Sequence, residues 1–353
     1  MRRWSKHAVV AGGLLISVLA SGCSHSNAGN EVLGALTAIG SPVQSEPIAA
    51  WSNAWRKKNT ATSLNYSPDG SAVGVTALAT GQAYFAALDS PLSSSERMRT
   101  TASCGPDGAF SVPVAITSLA VAFNMPSVTG LKLSPSVLGG IFSGKIRRWD
   151  NEAIVAINPG AKLPKADIVP IVATEPSALS LAATEYLASG QSWSSEKTNS
   201  MPVPENGVEV RKYKDLSQKV NDTAGAIAIM DVASIGSRFD TALLSFGGDF
   251  IRQSKDSVAL ANAEGTVAED SNGVTFSLPA NSSYGYPFGM VNYQAFCNNY
   301  DNEQLAKLVK SWGLFVVGSE GQIASMYFGS VSSPSQAALQ KSAQRIEKIE
   351  AKG

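Results

Sequence analysis

Short apolar runs alternate with longer amphipathic stretches along most of this 353-residue chain. In its first part, strand-like runs at 35–39, 63–67 and 84–88 are separated by helix-like stretches at 46–58 and 73–80. This alternation predicts the α/β class, in which helices cover a central sheet. Ligands of such folds bind beyond the carboxyl ends of the strands, so we expect binding residues just after these strands.

The apolar run 112–123 predicts a strand that leaves one lobe and enters a second. We therefore predict a two-lobed fold, with residues 35–111 and 285–353 in the first lobe and 112–284 in the second. Each lobe is expected to hold a central mixed β-sheet flanked by helices, with the ligand cleft between the lobes. The other predicted elements are helices at 134–142 and up to 157, a strand at 168–172, a helix starting at 174–177 with Pro176 in its first turn, a strand at 223–229, a returning segment at 284–293, and helices at 302–312 and from Ser335.

The N-terminal residues have the pattern of an export signal. Three basic residues precede the apolar segment 8–20, which is too short to span a bilayer as a mature helix. Small residues and Cys23 follow, in a pattern that resembles a bacterial lipobox. We predict that residues 1–22 are a signal peptide and that residues 23–34 are a lipidated cysteine and its tether. An ordinary cleaved signal is the alternative.

The charge balance argues against nucleic acid as a partner. The chain has 28 basic and 28 acidic residues, and removal of the basic signal segment leaves a slight negative excess. Proteins that bind nucleic acid carry a basic footprint, which is absent from these numbers. We therefore expect no nucleic acid partner and no binding to an anionic membrane surface through charge.

The few histidines and cysteines exclude several kinds of catalytic site. His7 lies in the signal and His25 in the tether, so the folded body has no histidine for a Ser-His-Asp triad, a Cys-His pair or a zinc site. We predict that the protein is not an enzyme and uses no metal or cofactor, with carboxylate-only chemistry as the remaining catalytic alternative. Cys104 and Cys297 form a possible disulfide after export, or two separate buried thiols.

One ordered set of motifs carries a resemblance to a known family. The motifs are LKLSPSVL at 131–138, IFSGKI at 141–146, WD at 149–150, AI at 153–154 and NPGAKLP at 158–164. Over about residues 35–330 the chain resembles the phosphate-binding proteins of bacterial phosphate ABC importers. The resemblance implies a type II periplasmic-binding-protein fold and an extracytoplasmic lipoprotein that delivers inorganic phosphate to membrane permease subunits. It also implies lipid anchoring through Cys23 to the outer face of the cytoplasmic membrane.

Two family motifs in the first lobe are retained. The family's Tyr-x-x-x-Gly-Ser turn resembles residues 66–71, which makes Ser71 a hydroxyl donor to the ligand at a helix start. The motif that carries the proton-accepting aspartate resembles residues 85–91, which places Asp89 in that role. The simpler interpretations are a helix cap for Ser71 and a turn residue at a strand end for Asp89.

The first loop departs from the family pattern. The family has a threonine before an apolar residue there, whereas this chain aligns Pro42 and Val43 with those positions. Proline has neither a hydroxyl nor a backbone N–H. The resemblance therefore leaves the neighbouring Ser41 as the hydroxyl donor, with the backbone of Val43 as a further contact.

The second lobe departs further. The family's arginine position is occupied by Ala173, so the cation that would offset Asp89 and the ligand is absent. Ser177, Ala178 and Leu179 keep the hydroxyl and backbone donors of a helix start. The family threonine is lost at Leu179, and Glu175 keeps the acid of the motif and adds negative charge.

The missing arginine leaves the ligand open. Loss of such a partner costs about 2–5 kcal/mol, or roughly 30-fold to several thousand-fold in affinity. Lys132, Lys145 or Arg147 could replace it. The main hypothesis is a phosphate-binding component of an importer. The alternative is a lipoprotein of the same fold whose ligand is neutral, less charged or lost, or which acts on a protein partner.

Overall fold

The structure is a computed structural model that describes residues 32–328 and 331–353. The predicted signal peptide and Cys23 lie outside these residues. Within them the strands are β1 (Gly34–Gly40), β2 (Thr62–Ser67), β3 (Phe85–Leu88), β4 (Ala109–Phe123), β5 (Lys132–Leu133), β6 (Val169–Ala173), β7 (Val208–Val210), β8 (Ala226–Asp231), β9 (Asp240–Thr241), β10 (Leu243–Ser245), β11 (Phe250–Ile251), β12 (Thr266–Asp270), β13 (Gly273–Ser277), β14 (Gly289–Cys297), β15 (Asn299–Tyr300) and β16 (Glu350–Ala351).

The helices pack against the sheets that these strands form. They are α1 (Ser45–Lys58), α2 (Ser71–Ala79), α3 (Ser94–Arg99), α4 (Thr101–Cys104), α5 (Pro135–Phe142), α6 (Glu152–Ile157), α7 (Ala178–Ala188), α8 (Leu216–Asn221), α9 (Val232–Ile235), α10 (Lys255–Glu264), α11 (Glu303–Val317), α12 (Ser319–Phe328) and α13 (Gln336–Ile346), with short 3-10 helices at Pro42–Gln44 and Tyr213–Asp215.

One mixed sheet connects the two halves of the fold. Its order is β2-β1-β3-β14-β4-β8-β6-β7, with the β12–β13 hairpin and β9 beside β4. The strands β2, β1 and β3 are parallel, as are β8, β6 and β7. In contrast, β14 is antiparallel to β3 and β4, and β4 is antiparallel to β8. The predicted α/β fold with mixed sheets and flanking helices is confirmed.

The fifteen-residue strand β4 contributes to both hydrophobic cores. Its first residues, including Phe110, pack into the first core, and its last residues, including Phe123, pack into the second. Pro113 lies in the interior of this central strand, where a proline removes a ladder hydrogen bond. The pairing with β14 shifts register between Asn292 and Tyr293 at this point, so a bulge accommodates the proline.

The first core draws on both ends of the chain. It contains Trp51 and Trp55, whose i, i+4 spacing places them on one face of α1, and both side chains are fully buried. Trp55 meets Trp312 of α11 edge to face, with ring centroids 5.4 Å apart. The second core lies between residues 119 and 290 of the chain. The lobe boundaries at 111/112 and 284/285 stay a prediction.

Cys104 and Cys297 are joined by a disulfide in the structure. The bond connects the end of α4 to the end of β14, with Cα atoms 4.5 Å apart, across 193 residues of sequence. No helix of residues 32–328 or 331–353 is both long and apolar enough to cross a membrane. Over the same residues, no group of three acidic or cysteine side chains could hold a metal ion.

The predicted starts of one helix and one strand are wrong. The helix predicted from 174–177 begins at Ala178, because the backbone of Thr174 still extends the sheet by donating to Val210 O (3.0 Å). Pro176 therefore lies before the helix rather than in its first turn. The strand predicted at 223–229 begins at Ala226, because Gly225 adopts a left-handed conformation (φ 74°) that interrupts extended backbone.

Candidate functional site

Three residues predicted to bind ligand meet where β1 and β3 end and α2 begins. The chain leaves β1 at Ser41, whose N–H donates to Ala87 O of β3 (2.9 Å). The start of α2 is held at the same edge, because Gly70 N–H donates to Gly40 O (2.8 Å). Ser41, Ser71 and Asp89 are therefore brought together by parallel strands that end at one edge of the sheet.

Ser71 and Asp89 form a reciprocal pair. The Ser71 hydroxyl donates to Oδ2 of Asp89 (2.9 Å) and accepts from the Asp89 backbone N–H (3.1 Å). Oδ1 of Asp89 is buried and has no hydrogen-bond partner. A buried carboxylate oxygen without a donor is costly, so this atom is a free acceptor for a donor on a ligand.

Burial raises the pKa of Asp89 above its ordinary value of 3.8, and the nearby hydroxyls of Ser41 and Ser71 oppose that rise. Desolvation disfavours the charged form of an acid, which is the main cause of the shift. Burial also raises the pKa of the nearby Tyr66 well above the usual range, and the charges of Asp89 and Asp69 add to that shift. Tyr66 stays protonated and donates its hydroxyl to Ser41 O.

Val43 lies in the short 3-10 helix at Pro42–Gln44. Its N–H donates to the Ser41 hydroxyl oxygen (3.2 Å), and its side chain packs against the second core. Val43 thus links the first half of the site to the second half of the fold.

Gln44 is a site-positioning residue that the sequence analysis did not identify. Its side chain is fully buried, and Nε2 donates to Leu88 O (2.9 Å) and Tyr293 O (3.0 Å). These bonds fasten the loop after β1 to the end of β3. The sequence carries little signal for this role, since Gln44 lies between Val43 and the polar Ser45.

The second group of predicted residues shares the start of α7. The Ser177 hydroxyl accepts from Ser180 N–H (3.0 Å) and donates to the Ser180 hydroxyl (2.9 Å), so Ser177 is the N-cap. Ala178 and Leu179 are the first helical residues, and their N–H groups have no partner within the helix. The Leu179 side chain is buried in the second core, so only its backbone can serve a ligand.

Acidic side chains near the start of α7 are occupied by backbone donors. Oε1 of Glu175 accepts from Tyr213 N–H (2.7 Å), and Asp231 caps α9 by accepting from Ser234 N–H (2.9 Å). Burial raises the pKa of Tyr213 well above the usual range, so its hydroxyl stays neutral. The negative charge that Glu175 adds is therefore partly offset by local hydrogen bonding.

The three basic residues considered for the missing cation are engaged elsewhere. Lys145 donates to Ser192 O (3.0 Å), Arg147 pairs with Glu205 (2.6 Å), and Lys132 lies over the Phe250 ring. Ala173, at the position of the family arginine, is buried. A narrow cavity touches Ala173 and Leu179 but does not reach Leu88, so it is not a ligand pocket shared by both halves.

The two groups lie at strand ends whose levels along β4 are fixed by strand pairing. Leu88 is opposite Tyr293, which pairs with Pro113 of β4, whereas Asp231 at the end of β8 pairs with Leu119. Six residues of extended strand separate the two levels, roughly 20 Å along β4. Among the described residues no hydrogen bond joins the first group to Ser177, Ala178 or Leu179.

Strand ends and helix starts from two halves, connected by two long strands, define a two-lobed solute-binding protein. The chain belongs to the PBP superfamily, because the family model of the PBP superfamily domain matches residues 25–320.

Curated relatives cover most of the chain. The phosphate-binding protein PstS 3 of Mycobacterium leprae (strain TN) is 28% identical over 295 residues, which is 80% of this chain and 79% of the relative. The phosphate-binding protein PstS 2 of Mycobacterium tuberculosis (strain ATCC 25618 / H37Rv) is 26% identical over 315 residues, covering 85% and 83% of the two chains.

Solved structures share the fold at lower identity. The phosphate-binding protein from Stenotrophomonas maltophilia has a TM-score of 0.63 at 19% identity and covers 88% of this chain and 93% of its own. A phosphate ABC transporter substrate-binding protein with bound phosphate from Clostridium perfringens has a TM-score of 0.59 at 15% identity, covering 85% and 99%. At these identities the similarity concerns the fold.

Proposed function

We propose that this protein is an extracytoplasmic solute-binding protein of an ABC importer and that it binds inorganic phosphate between its lobes. The observation that carries the proposal is the Ser71–Asp89 pair, with a buried carboxylate oxygen left free at a strand edge. The names of the curated relatives support the same ligand. Their names describe binding proteins, and we infer a transport role rather than catalysis.

The chemistry of the free oxygen favours phosphate over sulfate. Monohydrogen phosphate carries a proton that it can donate to Oδ1 of Asp89, whereas sulfate at neutral pH has none. The starts of α2 and α7 add backbone N–H groups and positive dipole ends that favour a dianion. The side chain that selects phosphate and the groups that attract its charge are thus separate.

Binding is expected to close the cleft. Residues on one lobe contact one side of the anion and residues on the other lobe contact the opposite side, so the ligand stabilises the closed form. The closed form is then presented to permease subunits in the membrane. We further propose that Cys23 is lipidated and holds the protein on the outer face of the cytoplasmic membrane, with the residues up to 34 as a tether.

Ala173 favours a second candidate function. An apolar, buried residue at the position of the family arginine suits a neutral or less charged solute, or a role with a protein partner. This candidate predicts that phosphate does not bind.

Isothermal titration of residues 24–353, unfolded and refolded to remove carried ligand, tests the proposal. We expect saturable heat with phosphate and none with sulfate, because only phosphate can satisfy the free oxygen of Asp89. The Asp89→Asn variant provides the control, since its amide nitrogen can donate to sulfate and should reduce the selectivity. If phosphate gives no heat and no competition up to about millimolar concentration, which corresponds to roughly 4 kcal/mol of binding, the second candidate replaces the first.

A further inference from the structure

A basic residue, Arg211, follows the strand next to β6. β7 pairs in parallel with β6, with Ala173 opposite Val210. Past the strand ends the two segments stay hydrogen-bonded, because Thr174 N–H donates to Val210 O (3.0 Å) and Glu175 N–H donates to Arg211 O (3.1 Å). Arg211 therefore lies one position beyond Val210, at the sheet edge where α7 begins.

Continuing the alternation of β7 by one residue assigns the Arg211 side chain to the α7 face. Val208 and Val210 pack into a core cluster with Ala173 on the α8 face of the sheet. Successive residues of a strand point to opposite faces, and on this alternation Arg211 belongs to the other face. That face is covered by α7, whose Leu179 packs in the second core.

Arg211 is not engaged by other residues. Its side chain is exposed and makes no ion pair or hydrogen bond to the residues of 32–328 or 331–353. Two acids lie close in sequence or pairing: Glu175 is held by the N–H of Tyr213, and Glu209 is exposed two residues before Arg211. A guanidinium in this position remains available to a ligand.

We propose that Arg211 supplies, from the neighbouring strand, the positive charge that is lost at Ala173. From Glu175 to Ser177 the chain extends at most about 7 Å, a distance that the long arginine side chain can bridge to the start of α7. The planar guanidinium suits a tetrahedral oxyanion because it donates two parallel hydrogen bonds. This inference rests on the proposed function and assigns the cation of that site.

An exposed cation predicts a specific salt dependence. Charges that remain near solvent are screened by salt, whereas buried pairs are screened much less. Phosphate affinity should therefore fall with ionic strength in the unmodified protein, and fall less in a variant that lacks the Arg211 charge. A purely structural role for Arg211 would not change this slope.

The test compares Arg211→Gln with Lys212→Gln by phosphate titration at two ionic strengths. Lys212 is the matched control, because it is adjacent, exposed and of equal charge but caps the short 3-10 helix at Tyr213–Asp215. We expect Arg211→Gln to weaken phosphate binding at least about tenfold, as for loss of a charge-assisted bond, and Lys212→Gln to change it less than about threefold, as for an exposed charge. Arg211→Lys should fall between the two, since lysine keeps the charge and loses the paired geometry.

The outcomes separate this inference from the proposed function. If the unmodified protein binds phosphate and Arg211→Gln binds equally well, Arg211 is not the cation, and the proposed function stands. Equal losses in both variants would show a general effect of net charge and would also overturn the inference. If the unmodified protein does not bind phosphate, both proposals fail. Circular dichroism of each variant verifies that it is folded, and Arg211→Lys provides the test if Arg211→Gln is not.

Discussion

Asp89 has the most unusual environment of the predicted site residues. One carboxylate oxygen is held by Ser71 and the other is buried without a donor. Burial is the main cause of its raised pKa, and the serine hydroxyls only partly offset it. A site with an unused acceptor is poised for a ligand that brings its own proton, because binding then satisfies a group that is costly to leave alone.

The raised pKa predicts how stability depends on pH. An acid whose pKa is higher in the folded state than in the unfolded state contributes stability below its ordinary pKa, and this contribution is lost as pH rises through the folded-state pKa. Without ligand, the melting temperature of Asp89→Asn relative to the unmodified protein should therefore increase as pH rises from about 3.8. Each unit of raised pKa corresponds to about 1.4 kcal/mol.

The exposed Asp69, which accepts from the Ser67 hydroxyl, provides the control. Thermal melts of Asp69→Asn measure the effect of removing one exposed negative charge. Parallel profiles for the unmodified protein and Asp89→Asn would contradict the assignment of Asp89 as the buried acid.

At the level of single elements, the start of α7 has a structural role and, under the proposed function, a binding role. Ser177 caps the helix through Ser180 N–H, and the cap fixes the direction of the free N–H groups of Ala178 and Leu179. The loop after β1 has a comparable arrangement, in which Gln44 and Tyr66 hold the backbone around Ser41. Local polar residues thus set the geometry of both halves of the site.

The two roles of Ser177 can be separated by substitution. Ser177→Ala should lower the free energy of unfolding by about 0.5–2 kcal/mol, the usual cost of losing an N-cap, and should also weaken phosphate binding. Ser335→Ala is matched, because Ser335 caps α13 by accepting from Ala338 N–H and lies on another helix. Chemical denaturation and phosphate titration of both variants are the measurements. Equal phosphate affinity for the two variants would remove Ser177 from the site.

At the level of the whole molecule, the two halves are connected by the antiparallel pair β4–β14. The same pair carries the bulge at Pro113, which lies level with the end of β3. The disulfide lies in the first core, where it fastens the far end of β14 to α4, and the loop that it closes spans 193 positions and includes the second core. Cys297 is four residues beyond Tyr293, roughly 13 Å of strand away from the level of the site.

The disulfide should support stability without affecting the ligand. Replacing both cysteines by serine should lower the free energy of unfolding of the first lobe by about 2–4 kcal/mol, the usual range for a native bridge. Phosphate affinity should stay within about twofold, because the bond is distant from Asp89. Denaturation and titration, with the unmodified protein under reducing conditions as the control, measure both effects. A large loss of affinity at full folding would show that the bridge positions the site.

Several elements were not predicted because their sequences carry weak local signals. The strand β12 of the hairpin β12–β13 is exposed at all residues of 266–270 except the half-buried Val267, so it has no apolar alternation, and the hairpin pairs with β4 at Gly273. The three-residue strand β7 is too short for periodicity to identify, and it is ordered by its pairing with β6. Arg211 follows that strand, so its place beside Glu175 could not be inferred either.

The sequence alone determined the α/β class, the strand that ends just before Asp89, the helix start at Ser71, and the absence of histidine from the body of the protein. These features follow from local periodicity, turn residues and residue counts, which do not depend on distant contacts. Only the tertiary structure decided the start of α7, the bond between Cys104 and Cys297, and the position of Arg211. Each of these depends on residues that are remote in sequence and become neighbours when strands pair, and strand pairing is set by the whole fold.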